Sequence, residues 1–135
     1  MSLITWTKEA FATNVDTHDK EHQDIFADLN ALHAAVQSGD RAVTSTKLDA
    51  LLGTVQSHFA SEEENFRKCG YAQYDAHKAE HDKLIATCTE LYAKFNAGQA
   101  EITAETTSFL KDWLVKHIPH IDRLYSEPML GAGIR

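Results

Sequence analysis

The sequence predicts an all-α protein: an up-down-up-down antiparallel four-helix bundle with an N-terminal arm. Four long stretches repeat apolar residues every third or fourth position, which is the period of an amphipathic helix. Only two prolines, Pro119 and Pro128, stand among the 135 residues to interrupt them. The connections between the stretches are short, so sequence neighbours become antiparallel neighbours in space.

Each element has its own warrant. Residues 1–16 lack a helical period but contain Trp6 and Phe11, as an ordered arm lying across the bundle would. The first helix is expected over about 17–38, with His22, Ile25, Phe26, Leu29, Leu32 and Val36 on one face and Gly39 as a left-handed cap. Asp40 can cap the second, about 41–68, whose stripe is Leu48, Leu51, Leu52, Val55, His58, Phe59, Glu62 and Phe66; Gly70 closes it. The third, about 73–96, carries Tyr74, His77, His81, Leu84, Ile85, Cys88, Leu91, Tyr92 and Phe95, and stops at Ala97-Gly98. Thr103 can cap the fourth, about 103–125, with Thr106, Phe109, Leu110, Trp113, Leu114, His117, Ile121 and Leu124 inside. No linker, internal repeat or low-complexity segment divides the chain, so a single domain over 1–135 is expected.

Composition narrows the function. With 43% hydrophobic residues the chain can bury a core unaided, and its net charge of -7, without any Lys/Arg cluster, would repel a phosphate backbone. Nucleic acid is not an expected partner. Thr5, Thr7, Lys8 and Glu9 break the N-terminal segment, which therefore does not read as a signal peptide, and no apolar run is long enough to span a membrane. The expected location is the cytoplasm. Cys88 falls on an apolar stripe and reads as core; Cys69, before Gly70, reads as a surface thiol without a role. The unusual number is eight histidines.

Each predicted helix places at least one histidine on its apolar stripe, and two stripes also carry a carboxylate. A buried charge must be neutralised, paired or bound to metal. Glu62 follows His58 by one turn, and His81 follows His77 by one turn, so each pair leaves one helix face in a metal-chelating geometry. Taken alone, either pair fits a structural hydrogen bond equally well. What sets them apart is height: His22 near the start of helix one, His58 and Glu62 near the end of two, His77 and His81 near the start of three, and His117 and Asp122 near the end of four coincide in an up-down bundle. The last pair is irregular, because five residues give about 500° of rotation, about 140° off register. Pro119 lies between them and can distort the helix, although an end to the helix there would leave Asp122 as a solvated cap.

In this order, His22, His58-Phe59-x-x-Glu62-Glu63, His77-x-x-x-His81 and His117-x-x-x-x-Asp122 resemble the hemerythrin signature. Trp6-Thr7, Asp19-x-Glu21-His22 and Trp113-Leu114-Val115-Lys116-His117-Ile118 fit the same family, so the resemblance covers essentially the whole chain. Myohemerythrin, a member, is an up-down bundle, so the resemblance implies the fold already expected. It also implies two irons as cofactor, bridged by Glu62, Asp122 and a solvent-derived oxo or hydroxo group. His77, His81 and His117 would complete one iron. His22 and His58 would hold the other, leaving an open position for dioxygen.

Five imidazoles and two carboxylates make a nitrogen-rich site, whereas oxygen-activating di-iron proteins of the ferritin-like type use about four carboxylates. That favours reversible binding over oxidation of a substrate. The pocket should be dry, and Ile25, Phe59, Trp113, Leu114 and Ile118 are the residues expected to line it, although core packing would also explain them. His18, His33 and His120 are left out of the ligand set; Asp19 and Glu21 are either acceptors that orient an imidazole or a solvated helix start. The expected function is a non-enzymatic oxygen carrier, store or delivery protein, a monomer that could serve an oxygen-consuming enzyme. The alternatives are an oxygen or redox sensor acting through a separate partner, and a di-iron enzyme consuming peroxide or nitric oxide, with Tyr74 and Tyr125 as candidate proton donors.

Overall fold

The computed structural model describes residues 2–135; Met1, the first residue of the expected arm, lies outside them. The chain folds as α1 (Lys8–Phe11), α2 (Asp16–Ser38), α3 (Arg41–Cys69), α4 (Tyr74–Asn96) and α5 (Ala104–His120), followed by a 3-10 turn (Asp122–Tyr125) and α6 (Ser126–Gly131). The long helices α2 to α5 form the bundle, with α2 packed on α3 and α5, and α3 on α4. No helix among the described residues is long and apolar enough to cross a membrane.

Except for the end of the fourth helix, the long helices begin and stop within a residue of where the sequence put them. Gly39 caps α2 at φ 76°, a conformation that costs a residue with a Cβ. The Asp40 carboxylate accepts from Val43 N at 3.1 Å to start α3. Thr103 and Thr106 form a reciprocal capping box at the start of α5.

The arm is ordered and pinned from three sides. Ile4 exchanges two hydrogen bonds with the Asn30 side chain on α2, at 3.0 and 2.9 Å. Arg123 donates to the carbonyls of Ala12 and Glu9, and Ser126 donates to that of Thr13. Asp19 accepts from Thr13 N, Thr13 Oγ1 and Asn14 N, holding the turn where Asn14 adopts φ 67°. Of the two roles expected for Asp19 neither holds, because its carboxylate is spent on the arm.

Two apolar clusters fill the bundle. The larger includes Phe26, Leu29, Leu32, Leu48, Leu51, Phe59, Leu84 and Cys88; the smaller, at the end closed by the arm and α6, joins Val15, Phe66, Tyr71, Tyr125 and Met129. The expected fourth helix, about 103–125, proves shorter: α5 stops at His120, and the chain tightens into the 3-10 turn before α6. Two residues expected inside are outside, Phe109 at 49% exposure and Leu124 at 58%. Phe109 precedes the buried Leu110 by one position, about 100° around the helix, and the change to 3-10 winding swings Leu124 outward. Cys69 is half-buried against the smaller cluster rather than a surface thiol.

Candidate metal centre

Between the two clusters lie seven polar side chains, each at most 5% exposed: His22, His58, Glu62, His77, His81, His117 and Asp122. Their positions follow from helical spacing. His58 and Glu62 on α3, and His77 and His81 on α4, leave their helices on one face, while His22 comes from the first half of α2 and His117 from the last turn of α5.

Asp122 reaches the group by another route. The helical ladder runs through Pro119 as far as the Ile121 N–H, which donates to His117 O at 2.8 Å, and the 3-10 turn then begins. The tighter turn removes the mismatch that five residues of regular α-helix would leave, so Asp122 is buried and close to His117. It is not a solvated cap.

The distances divide the donors into two sets. Glu62 Oε2 lies 3.2 Å from His58 Nε2 and 3.7 Å from His22 Nε2, and Asp122 Oδ2 lies 3.0 Å from His22 Nε2. The other oxygen of each carboxylate faces the other imidazoles. Glu62 Oε1 is 3.1 Å from His81 Nε2 and 3.8 Å from His77 Nε2, and Asp122 Oδ1 is 2.9 Å from both His77 and His117 Nε2. Between them the two carboxylates therefore turn one oxygen each toward the side of His22 and His58 and one each toward the side of His77, His81 and His117.

These atoms satisfy one another poorly as hydrogen-bond partners. Both oxygens of Glu62, both of Asp122, and Nε2 of His22 and His81 are buried without a well-formed hydrogen bond among the described residues. Orphaned acceptors converging on two points are what a pair of cations requires, and imidazole nitrogen with carboxylate oxygen suits a first-row transition metal. Three groups among the described residues have donors close enough to hold an ion: His22, His58, Glu62 and Asp122; His77, His81, His117 and Asp122; and His18, Glu21 and His58, the last already joined by bonds from both imidazoles to Glu21.

Electrostatics agree with that reading. Burial alone would raise Glu62 and Asp122, yet the imidazoles, His58 foremost for Glu62 and His117 for Asp122, hold both well below the usual carboxylate range. Burial likewise opposes a charge on His58, but Glu62 and Glu21 outweigh it and push the group up to about 10.

Outer carboxylates orient two of the rings. His58 Nδ1 donates to Glu21 Oε1 at 2.8 Å, and His81 Nδ1 donates to Glu63 Oε2 at 2.9 Å, leaving Nε2 of each ring facing inward. Glu21 is thus the imidazole-orienting acceptor of the two readings the sequence left open. Glu63 was missed in that role, though its place beside Glu62 and one residue out of register with it was a usable signal. His18 is fully buried, donating to Glu21 at 2.7 Å and accepting from Asn65 at 2.9 Å. His33 pairs with Thr107 and His120 is exposed, so all three excluded histidines stay out of the seven-residue cluster.

Ile25, Phe59, Trp113, Leu114 and Ile118 line one cavity with His22, His58, His117 and Asp122, together with Val55 and Leu84, which the sequence did not single out. Val55 precedes His58 and Leu84 follows His81 by one turn, a placement the spacing could have revealed. Phe59 stacks on His81 with centroids 3.7 Å apart, and Trp113 stacks on His117 at 4.1 Å. Neither tyrosine considered as a proton donor lines this cavity: Tyr74 is half-buried against the smaller cluster and accepts from Arg67, and Tyr125 belongs to that cluster.

Known proteins place these features in context. The model of the hemerythrin HHE cation binding domain matches residues 8–127. The chain is 49% identical to a bacteriohemerythrin of Methylococcus capsulatus over 98% of its own length and 100% of that protein's, and 34% identical to one of Stenotrophomonas maltophilia over 94% and 82%. Its fold superposes on a crystal structure of wild-type hemerythrin with a TM-score of 0.93 at 48% identity, covering 95% of this chain and 98% of that one.

Proposed function

Because the chain belongs to the hemerythrin family, an iron-binding family, we propose that it binds dioxygen reversibly at a non-haem di-iron centre. One observation carries the proposal: the two buried carboxylates each turn their oxygens in opposite directions, Glu62 between His22 and His58 on one side and His77 and His81 on the other, and Asp122 between His22 on one side and His77 and His117 on the other. On this reading Glu62 and Asp122 would be shared between the two irons, with His22 and His58 holding one and His77, His81 and His117 the other. The set with two imidazoles is one donor short of the other. The irons, when bound, supply reversible electron donation to dioxygen, and the protein supplies everything else.

Its own residues fix the site and keep it dry. Glu21 and Glu63 hold the rings of His58 and His81, so little reorganisation accompanies metal binding. Ile25, Phe59, Trp113, Leu114 and Ile118 give the ligand pocket an apolar lining, which admits a small apolar gas and excludes water and protons. The same lining favours a carrier, store or delivery protein over the two alternatives, an enzyme acting on peroxide or nitric oxide and a sensor, because a reductive enzyme needs a proton donor at the bound substrate. We further infer one domain over residues 1–135, acting as a monomer in the cytoplasm and passing dioxygen to an oxygen-consuming enzyme.

The test is direct. The protein is purified without air, its iron counted, and its visible spectrum followed through cycles of air and argon. The expected result is two irons per chain and a charge-transfer band that appears in air and vanishes under argon. Irons that oxidise once and stay oxidised would overturn the carrier reading and direct attention to peroxide and nitric oxide as substrates.

A further inference from the structure

Tyr125 is the largest fully buried side chain of the protein, and nothing above gives it a task. It stands three residues after Asp122 in the 3-10 turn, where side chains at that spacing eclipse one another. The turn that sends the Asp122 carboxylate into the metal centre therefore sends the Tyr125 phenol beside it. The ring lies among His18, His77 and Phe66, with centroids 5.4, 6.1 and 5.8 Å away.

Its hydroxyl and both oxygens of Glu62 are buried without a hydrogen-bond partner among the described residues, while the ring packs on Phe66, one turn after Glu62, and on His77, whose Nε2 lies 3.8 Å from Glu62 Oε1. Glu62 and Thr13 are polar side chains that influence it. Leaving a phenol unsatisfied is costly, so its proton must have a destination. Thr13 is a poor one: its hydroxyl already donates to Asp19 at 2.8 Å and accepts from Val15 N at 3.3 Å. Glu62 is the better acceptor, because a hydrogen bond to an ionised carboxylate is about twice as strong as one between neutral groups.

We propose that Tyr125 is a positioning residue for the metal centre: its phenol donates a hydrogen bond to Glu62 and thereby favours the reduced state of the metal pair, the state that takes up dioxygen. The proposal rests on the di-iron reading above. A carboxylate that accepts a proton donor gives less electron density to its metals, and weaker donation favours the less charged ferrous pair. The approach is from the closed end of the bundle, clear of the ligand pocket, so the residue acts without touching dioxygen.

The experiment is spectroelectrochemistry of the iron-loaded protein, with iron counted in every variant. Tyr125→Phe, which keeps the ring and removes the donor, is expected to lower the ferrous-to-ferric ratio at fixed potential by about tenfold. Tyr71→Phe removes another buried hydroxyl of the same cluster that has no carboxylate in hydrogen-bond reach, and should leave the ratio within about twofold. 3-Fluorotyrosine at position 125, similar in size and a stronger donor, should move the ratio the opposite way, and it decides the matter if Tyr125→Phe fails to fold or to hold iron. An unchanged ratio with two irons in place, an equal shift in Tyr71→Phe, or a phenolate-to-iron band abolished by Tyr125→Phe would each overturn the proposal alone. A wild-type chain without iron would overturn the metal reading and the proposal with it.

Discussion

At the scale of the residue, the metal centre is a set of charges that water would have to solvate if they did not hold one another. The His58 ring shows the balance. Without metal, Glu62 and Glu21 hold it protonated up to about pH 10 against the opposing effect of burial, so this interaction stabilises the fold fully below the ordinary histidine value and is lost as the pH rises through about 10. A metal at Nε2 needs the neutral ring and must expel that proton. Binding of ferrous iron at pH 7 is therefore expected to release at least one proton per chain, measurable in a weakly buffered titration, and to weaken as the pH falls toward about 5. Uptake without proton release would contradict the ligand set. Glu21 behaves oppositely: burial would raise it, but bonds from His18 and His58 lower it to about 2, so its contribution is present above its ordinary value near 4.5 and fades as the pH falls toward 2. It remains an anion wherever iron binds. Glu21→Ala should weaken iron binding by about 10- to 100-fold in a chelator competition while leaving helix content unchanged. The spacing of His22, His58, Glu62, His77 and His81 was legible because a helix fixes which residues share a face. Choosing between Asp19 and Glu21 was not, since the two stand within one turn and only the position of the arm decides which carboxylate is free.

At the scale of the element, the last helix is where the sequence was hardest to read. Periodicity continues past Pro119 through Ile121 and Leu124, which suggests one helix to Tyr125, but the winding changes after His120. That change sets Asp122 and Tyr125 against the metal centre and exposes Leu124, and a pattern counted at 3.6 residues per turn cannot register it. The 3-10 turn also ties the arm down, because Arg123 points away from the site and donates to Ala12 O at 3.0 Å and Glu9 O at 2.8 Å. Arg123→Ala removes both bonds and is expected to cost about 1–2 kcal/mol in chemical denaturation. It should also speed amide exchange across residues 4–13. Unaltered exchange there would mean that Asn30, Asp19 and Ser126 suffice to hold the arm.

At the scale of the whole molecule, the metal centre stands between the apolar clusters and ties four helices together at one level. Iron bound only by the folded chain adds its binding energy to folding. Stripping the iron with a chelator should lower the melting temperature by about 10 °C, and reloading should restore it. Identical melting curves with and without iron would show that the cluster holds no metal in the native state. The arm, the 3-10 turn and α6 close one end of this arrangement, and α6 was not anticipated because its six residues are too few to show a period. By itself the sequence determined the bundle, its long helices and the seven buried donors, because these follow from local rules: helical period, capping residues and the cost of burying an unpaired charge. Only the tertiary structure decided which oxygen of each carboxylate faces which imidazoles, how Asp122 overcomes its register, and that Tyr125 packs beside His77 at the edge of the metal centre. Those depend on how separate helices meet, and no spacing along a single chain encodes a distance across a bundle.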